Sequence, residues 1–153
     1  MQEEIIVKLY KYCAYQDRCT QEVIDKLQEY AVSPDEYDPY LAHLEDERFL
    51  DDERFVSSFV RGKFYHKSWG RQKIRHELRQ KHLPQSMIEA GLLREIPEEE
   101  YREKADALLR RKWEQTDEAD RFRRREKAAR YLVQKGYEWE VFQDTLQELL
   151  EQG

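Results

Sequence analysis

Leu50-Asp51-Asp52-Glu53-Arg54-Phe55, followed by Trp69-Gly70-Arg71-Gln72-Lys73-Ile74-Arg75-His76-Glu77-Leu78, sets the reading of the whole chain. The first run is an acidic helix start. Asp51 stands where an N-cap carboxylate accepts from free backbone N–H groups, and Asp52 and Glu53 complement the positive end of the helix dipole, with Arg54 left to pair outward. Phe55, Val56, Phe59 and Val60 then make a broad apolar face, and Gly62 loosens the helix end. A further helix begins after Ser68. At about 100° per residue, Ile74 and Leu78 mark its inner face, and Arg71, Arg75, Arg79 and His82 form a stripe beside it.

Working outward, the same pattern recurs on both sides. Leu27, Leu78 and Leu132 are each preceded four residues earlier by Val23, Ile74 or Ala128. They are followed five later by Val32, Leu83 or Tyr137, ten later by Tyr37, Ile88 or Phe142, and fourteen later by Leu41, Leu92 or Leu146. The copies are 51 and 54 residues apart, and each needs a preceding helix (Ile5 to Tyr15, Asp51 to Lys67, Pro97 to Gln115) to close its core. An amphipathic pair cannot bury its apolar face alone, whereas stacked units share theirs. In the first copy Thr20 is the expected N-cap, and Ser33-Pro34-Asp35-Glu36 is a helix start with proline at the first helical position. The expected fold is therefore all-α: three tandem three-helix repeats forming an elongated molecule, with units at residues 1–48, 49–96 and 97–153. Five Gly, four Pro and the lack of sustained apolar–polar alternation exclude a β-protein.

Composition narrows the functional classes. Charged residues make up 39% of the chain, yet 12% of it is aromatic, which disordered chains are not. No export signal opens the sequence and no apolar run is long enough to span a bilayer, so a cytoplasmic protein without membrane contact is expected. Cys13 and Cys19 have no zinc or disulfide spacing. His43, His66, His76 and His82 lack the pairing of a ligand set, and no phosphate loop or nucleophile–base arrangement is present. The expectation is no enzyme, no cofactor and no metal. The net charge of −6 conceals a division: residues 1–60 carry −9, residues 61–82 carry +7 and residues 83–153 carry −4.

The middle segment is accordingly the candidate partner-binding surface, comprising Lys63, Lys67, Trp69, Arg71, Arg75, Arg79, Lys81 and His82. Arginines four apart step about 6 Å along a helix and can meet successive phosphates or carboxylates, each in a bidentate way. Trp69 beside them can stack on a base or on a protein surface, while Trp113 and Trp139 are expected to pack between helices. A charge run is more often a solvated face, but +7 within 22 residues favours binding. The stripe is taken to be solvent-exposed, with little part in folding. A second basic run, Arg121 to Arg130, has two readings: a helix overhanging its bundle, or an ion-pair network with Asp117 and Glu118.

Leu50-Asp51-Asp52-Glu53-Arg54-Phe55, with Gly70-x-x-Lys73-Ile74-x-x-Glu77-Leu78-x-x-Lys81-x-Leu83, resembles the central signature of bacterial RecX regulatory proteins. Lys135-Gly136-Tyr137 is similar to that family's C-terminal echo. The resemblance implies tandem three-helix repeats and a modulator that binds the RecA recombinase filament. It would block filament extension, ATP hydrolysis, strand exchange and the co-protease activity that triggers the SOS response, with no catalytic residues; apart from the resemblance, a monomer is expected. The chain departs from the family pattern at His82, where glycine is usual, and in its sequence pI of 5.4. The acidic balance ranks contact with RecA above unaided binding to single- or double-stranded DNA. Because Gly136 matches His82 in the repeat, His82 is expected to be strained or differently capped.

Overall fold

The structure is a computed structural model that describes residues 1–152; residue 153, the end of the third expected repeat, lies outside them. Among the described residues there are nine α-helices and no strand. α1 (Glu3–Tyr15), α2 (Thr20–Glu29) and α3 (Tyr37–Asp46) come first, with a 3₁₀ turn at Pro34–Glu36. α4 (Asp52–Arg61) runs into a π-helical turn, Gly62–His66, and α5 (Arg71–Gln80) and α6 (Gln85–Glu95) follow. α7 (Glu98–Gln115), α8 (Arg121–Lys135) and α9 (Trp139–Gln152) complete the order.

The helices gather into two compact units, one of residues 1–59 and 78–91, the other of residues 60–77 and 92 onward. In the first, Ile5, Ile6, Leu9 and Cys13 of α1 form a core with Val23 and Leu27 of α2 and Tyr40 and Leu44 of α3. In the second, α7, α8 and α9 pack on one another and bury Tyr101, Ala105, Leu109, Ala128, Leu132, Phe142 and Leu146.

The repeated leucine has a backbone explanation. Leu27, Leu78 and Leu132 are fully buried, and four residues after each the chain turns left-handed, with φ of 59° at Ala31, 59° at His82 and 104° at Gly136. Val32 N–H donates to the Leu27 carbonyl at 2.9 Å and Tyr137 N–H to the Leu132 carbonyl at 3.0 Å. Such six-to-one bonds close a Schellman motif, which carries an apolar contact between the two residues it joins. The leucine and the apolar residue five later are that pair; Val32, Leu83 and Tyr137 are all buried. The expected strain at His82 is present as a positive φ.

Three local expectations are corrected. Cys19, not Thr20, is the N-cap of α2, and its backbone N–H donates to Glu22 Oε1 at 3.1 Å. Burial pushes the Cys19 thiol up to about 11. In the first copy Tyr40 and Leu44 take the deep positions and Tyr37 and Leu41 are half-buried, because the 3₁₀ turn delays the α-helix and displaces its inward face. Trp139 stands at the start of α9, 38% exposed, with the Arg125 guanidinium over its ring, whereas Trp113 is buried.

Candidate partner-binding face

The signature run of α4 is first of all a set of caps in the first unit. Asp51 Oδ1 accepts from Arg54 N–H at 3.0 Å, which closes the start of α4. Asp52 reaches back to α2, accepting from Thr20 N–H at 2.8 Å and from the Thr20 hydroxyl at 2.9 Å. Arg54, expected to pair outward, turns inward. Its Nε donates to Asp17 at 3.1 Å and its other nitrogens to the carbonyls of Arg48 and Phe49 just past α3. Leu50 and Phe55 are buried, and Glu77, Ile74 and Leu78 lie on the half-buried and buried side of α5. Asp51, Asp52 and Arg54 thus all serve helix ends, and Arg54 adds an ion pair with Asp17.

Three candidate residues of the basic segment belong to this first unit. Arg79 donates to Gln85 Oε1 at 3.0 Å, Lys81 pairs with Glu22 at 3.3 Å, and His82 is exposed.

In the second unit the two glycine motifs meet. Gly70 N–H donates to the Lys135 carbonyl at 2.7 Å and Gln72 N–H to the Gly136 carbonyl at 2.9 Å. The carbonyl end of α8 therefore caps the amide end of α5, with opposite dipole ends together. A Cβ at Gly70 would stand 2.3 Å from the Gly136 carbonyl carbon, and one at Gly136 would stand 2.6 Å from Lys73 Cβ. The backbones approach so closely because neither residue has a side chain.

Arg71 is part of the same joint. Its backbone N–H donates to the Tyr101 hydroxyl at 2.8 Å, its guanidinium lies 3.9 Å from the Tyr101 ring centroid, and it pairs with Glu138 at 2.8 Å and Glu98 at 2.9 Å. The Tyr101 hydroxyl in turn donates to Glu138. The Arg71 side chain is only 21% exposed, which corrects the expectation of a solvent-facing stripe with little part in folding. Burial alone would pull its pKa down; Glu138 and the other partners reverse that and raise it.

Trp69, next to this joint, is half-buried, and two ammonium groups lie over its indole: Lys63 Nζ at 4.7 Å and Lys73 Nζ at 4.4 Å from the centroid. Lys135 Nζ donates to the Lys67 carbonyl at 2.9 Å. The Lys135 pKa is lowered, first by burial and then by the nearby Lys73 cation. Arg75 reaches Gln72 Oε1 at 2.5 Å. Lys73 and Lys135 were not among the candidates from spacing, although both stand inside the quoted motifs. Three ammoniums, of Lys63, Lys73 and Lys135, and an indole together offer charge for phosphate or carboxylate and a flat apolar surface.

The second basic run also caps helices. Arg124 donates twice to the Trp113 carbonyl in the last turn of α7, at 2.9 and 2.6 Å, and Arg121 donates to the Leu150 carbonyl in the last turn of α9. Lys127 pairs with Glu118 at 3.1 Å. Cations at carbonyl ends are favourable, and the overhanging helix is not what forms.

Residues 51–92 match the family described as RecX, second three-helix domain, and residues 98–146 match RecX, third three-helix domain. A protein named Regulatory protein RecX from Prosthecochloris aestuarii is 31% identical over 140 residues, which cover 91% of this chain and 89% of that one. Another of that name from Oceanobacillus iheyensis is 28% identical over 90% of this chain, and the chain spans half of its length. Among solved structures, a crystal structure of regulatory protein RecX superposes with a TM-score of 0.81 at 25% identity, covering 97% of this chain and 74% of that one. The crystal structure of RecX from Lactobacillus salivarius has a TM-score of 0.82 at 23% identity, covering 97% and 98%, and shares the fold.

Proposed function

We propose, because this chain belongs to the RecX family of regulatory proteins, that it binds the RecA recombinase filament. On this reading it restrains filament extension, ATP hydrolysis, strand exchange and co-protease activity, and so modulates recombination, DNA repair and the SOS response. It acts as a monomer in the cytoplasm and is built from three repeats bounded near residues 48 and 96. The observation that supports a contact face is the indole of Trp69 under Lys63 and Lys73, in a segment that carries +7 within 22 residues of an acidic chain. An acidic protein groove or a phosphate-lined one complements it, since charge complementarity governs encounter and partner choice.

Titration of the chain into a single-stranded-DNA-dependent RecA ATPase assay tests this directly. Inhibition at substoichiometric amounts is expected for a filament binder. A protein that only coats DNA would need amounts matching the strand, with the steep salt dependence of phosphate contacts. No effect on ATP hydrolysis at any ratio would end the RecA reading.

A further inference from the structure

The C-terminal half of α7 and the middle of α8 leave a groove that the face around Trp69 does not use. Its volume is about 330 Å³, and Lys112, Lys127, Arg130, Tyr131 and Gln134 line it. An adjoining hollow of about 270 Å³ shares Lys112 and Tyr131 and adds Arg111. Among the described residues that line the two, four are cations and none is a carboxylate, in a chain of net charge −6.

The cations are not equivalent. Lys127 has its charge answered by Glu118 at 3.1 Å. Lys112 is held in place instead, its ammonium 4.8 Å from the centroid of the Tyr131 ring. A cation–π contact fixes a flexible lysine without neutralising it. Arg130 and Arg111 are exposed and bring the planar fork that meets phosphate oxygens in pairs. Like charges gathered in one groove repel each other, and a bound anion is what would make their concentration favourable.

We propose that this groove binds a run of phosphate groups, with Lys112, Arg130 and Arg111 meeting the oxygens and the Gln134 amide supplying a neutral donor. An acidic protein segment fits less well, because beyond Tyr131 and Leu108 the lining has no apolar anchor for a side chain. The volume lies within the range of about 300–1,000 Å³ usual for small-ligand sites. Two sources share this chemistry: the phosphodiester backbone of a single strand, and the polyphosphate of a free nucleotide. The proposal stands independently of RecA binding.

Two probes separate the sources: a fluorescein-labelled oligothymidylate of roughly 15 nucleotides, and a fluorescent ATP analogue, each followed by anisotropy with the full chain at low salt. At least one should bind. In the Lys112→Gln/Arg130→Gln variant that affinity should fall about tenfold, and for the strand the slope of log affinity against log salt should become shallower by about 1.4, the value for two lost phosphate contacts. Arg123→Gln, on the same helix but outside the groove lining, should bind like the parent, and circular dichroism should show all three proteins equally folded. Binding of the strand alone assigns the groove to nucleic acid, and binding of ATP alone assigns it to a nucleotide. The proposal fails if neither probe binds, or if the double variant keeps the parent's affinity and salt slope for both.

Discussion

His82 holds a φ of 59° that an L-residue adopts at a cost of roughly 1–2 kcal/mol. His82→Gly should therefore stabilise the protein by about 1 kcal/mol, seen as a higher urea midpoint at unchanged m-value. An unchanged or lower midpoint would mean that the histidine side chain offsets the strain. The opposite experiment belongs at Gly70. Its missing Cβ would stand 2.3 Å from the backbone of Gly136, an overlap that no rotamer relieves. Gly70→Ala should cost about 3 kcal/mol or more by the same measurement, since the joint must open to admit a methyl group. The first of these features was legible in the sequence, because alignment on one leucine sets His82 opposite Gly136. The left-handed turn at Ala31, in the same register, was not, since alanine is an ordinary helix former and carries no turn signal. The closeness of Gly70 to Gly136 was equally hidden, because no local pattern says which distant backbone comes near.

Charge periodicity places a residue on a side of a helix without saying what faces that side, which is why the stripe on α5 was only half legible. Arg71, Arg75 and Arg79 share a spacing, yet Arg71 meets Glu98, Glu138 and Tyr101, while Arg75 and Arg79 reach glutamines. Arg71→Glu would bring a third carboxylate against Glu98 and Glu138 and should lower stability by about 2 kcal/mol. Arg75→Glu should move it by less than about 0.5 kcal/mol. Equal effects of the two in urea unfolding would contradict the assignment of Arg71 to the joint. The same pairs act on pH dependence. The Glu98 carboxyl is held below the usual carboxylate range, because bonds from Arg71 and Arg102 outweigh the upward push of burial. A depressed carboxylate adds stability that is fully present above its unfolded value of about 4.3 and is lost as the pH falls through the lower folded value. Arg71→Gln should flatten that acid decline in thermal melts taken between pH values of about 5 and 3. The caps contributed by Arg54, Arg121 and Arg124 were missed for the same reason: their acceptors are carbonyls of other helices, which leave no mark in a sequence.

For the whole molecule, all-α architecture and the existence of repeats were legible, because 3.6-residue periodicity and a fixed copy spacing are properties of the sequence itself. Membership of a regulatory family followed from the signature runs, whose residues turn out mainly to end and join helices. The contact face rests on fewer residues. Lys63→Glu with Lys73→Glu removes both cations over Trp69 while keeping the Lys73 backbone and Cβ that pack on Gly136. The variant should stay folded by circular dichroism and lose inhibition of RecA ATP hydrolysis about tenfold or more. Retention of full inhibition by a folded variant would move the face elsewhere on the chain.

The joint between α5 and α8 also has a consequence in time. Gly70 and Gln72 donate to carbonyls more than sixty residues downstream. A ribosome delivers the donors first, so the middle segment emerges long before its acceptors exist, and contacts this distant in sequence form slowly. The second unit is then completed by the last helices synthesised. In nascent chains stalled after α7, the amides of Gly70 and Gln72 should exchange with solvent freely and become protected only once Tyr137 has left the exit tunnel.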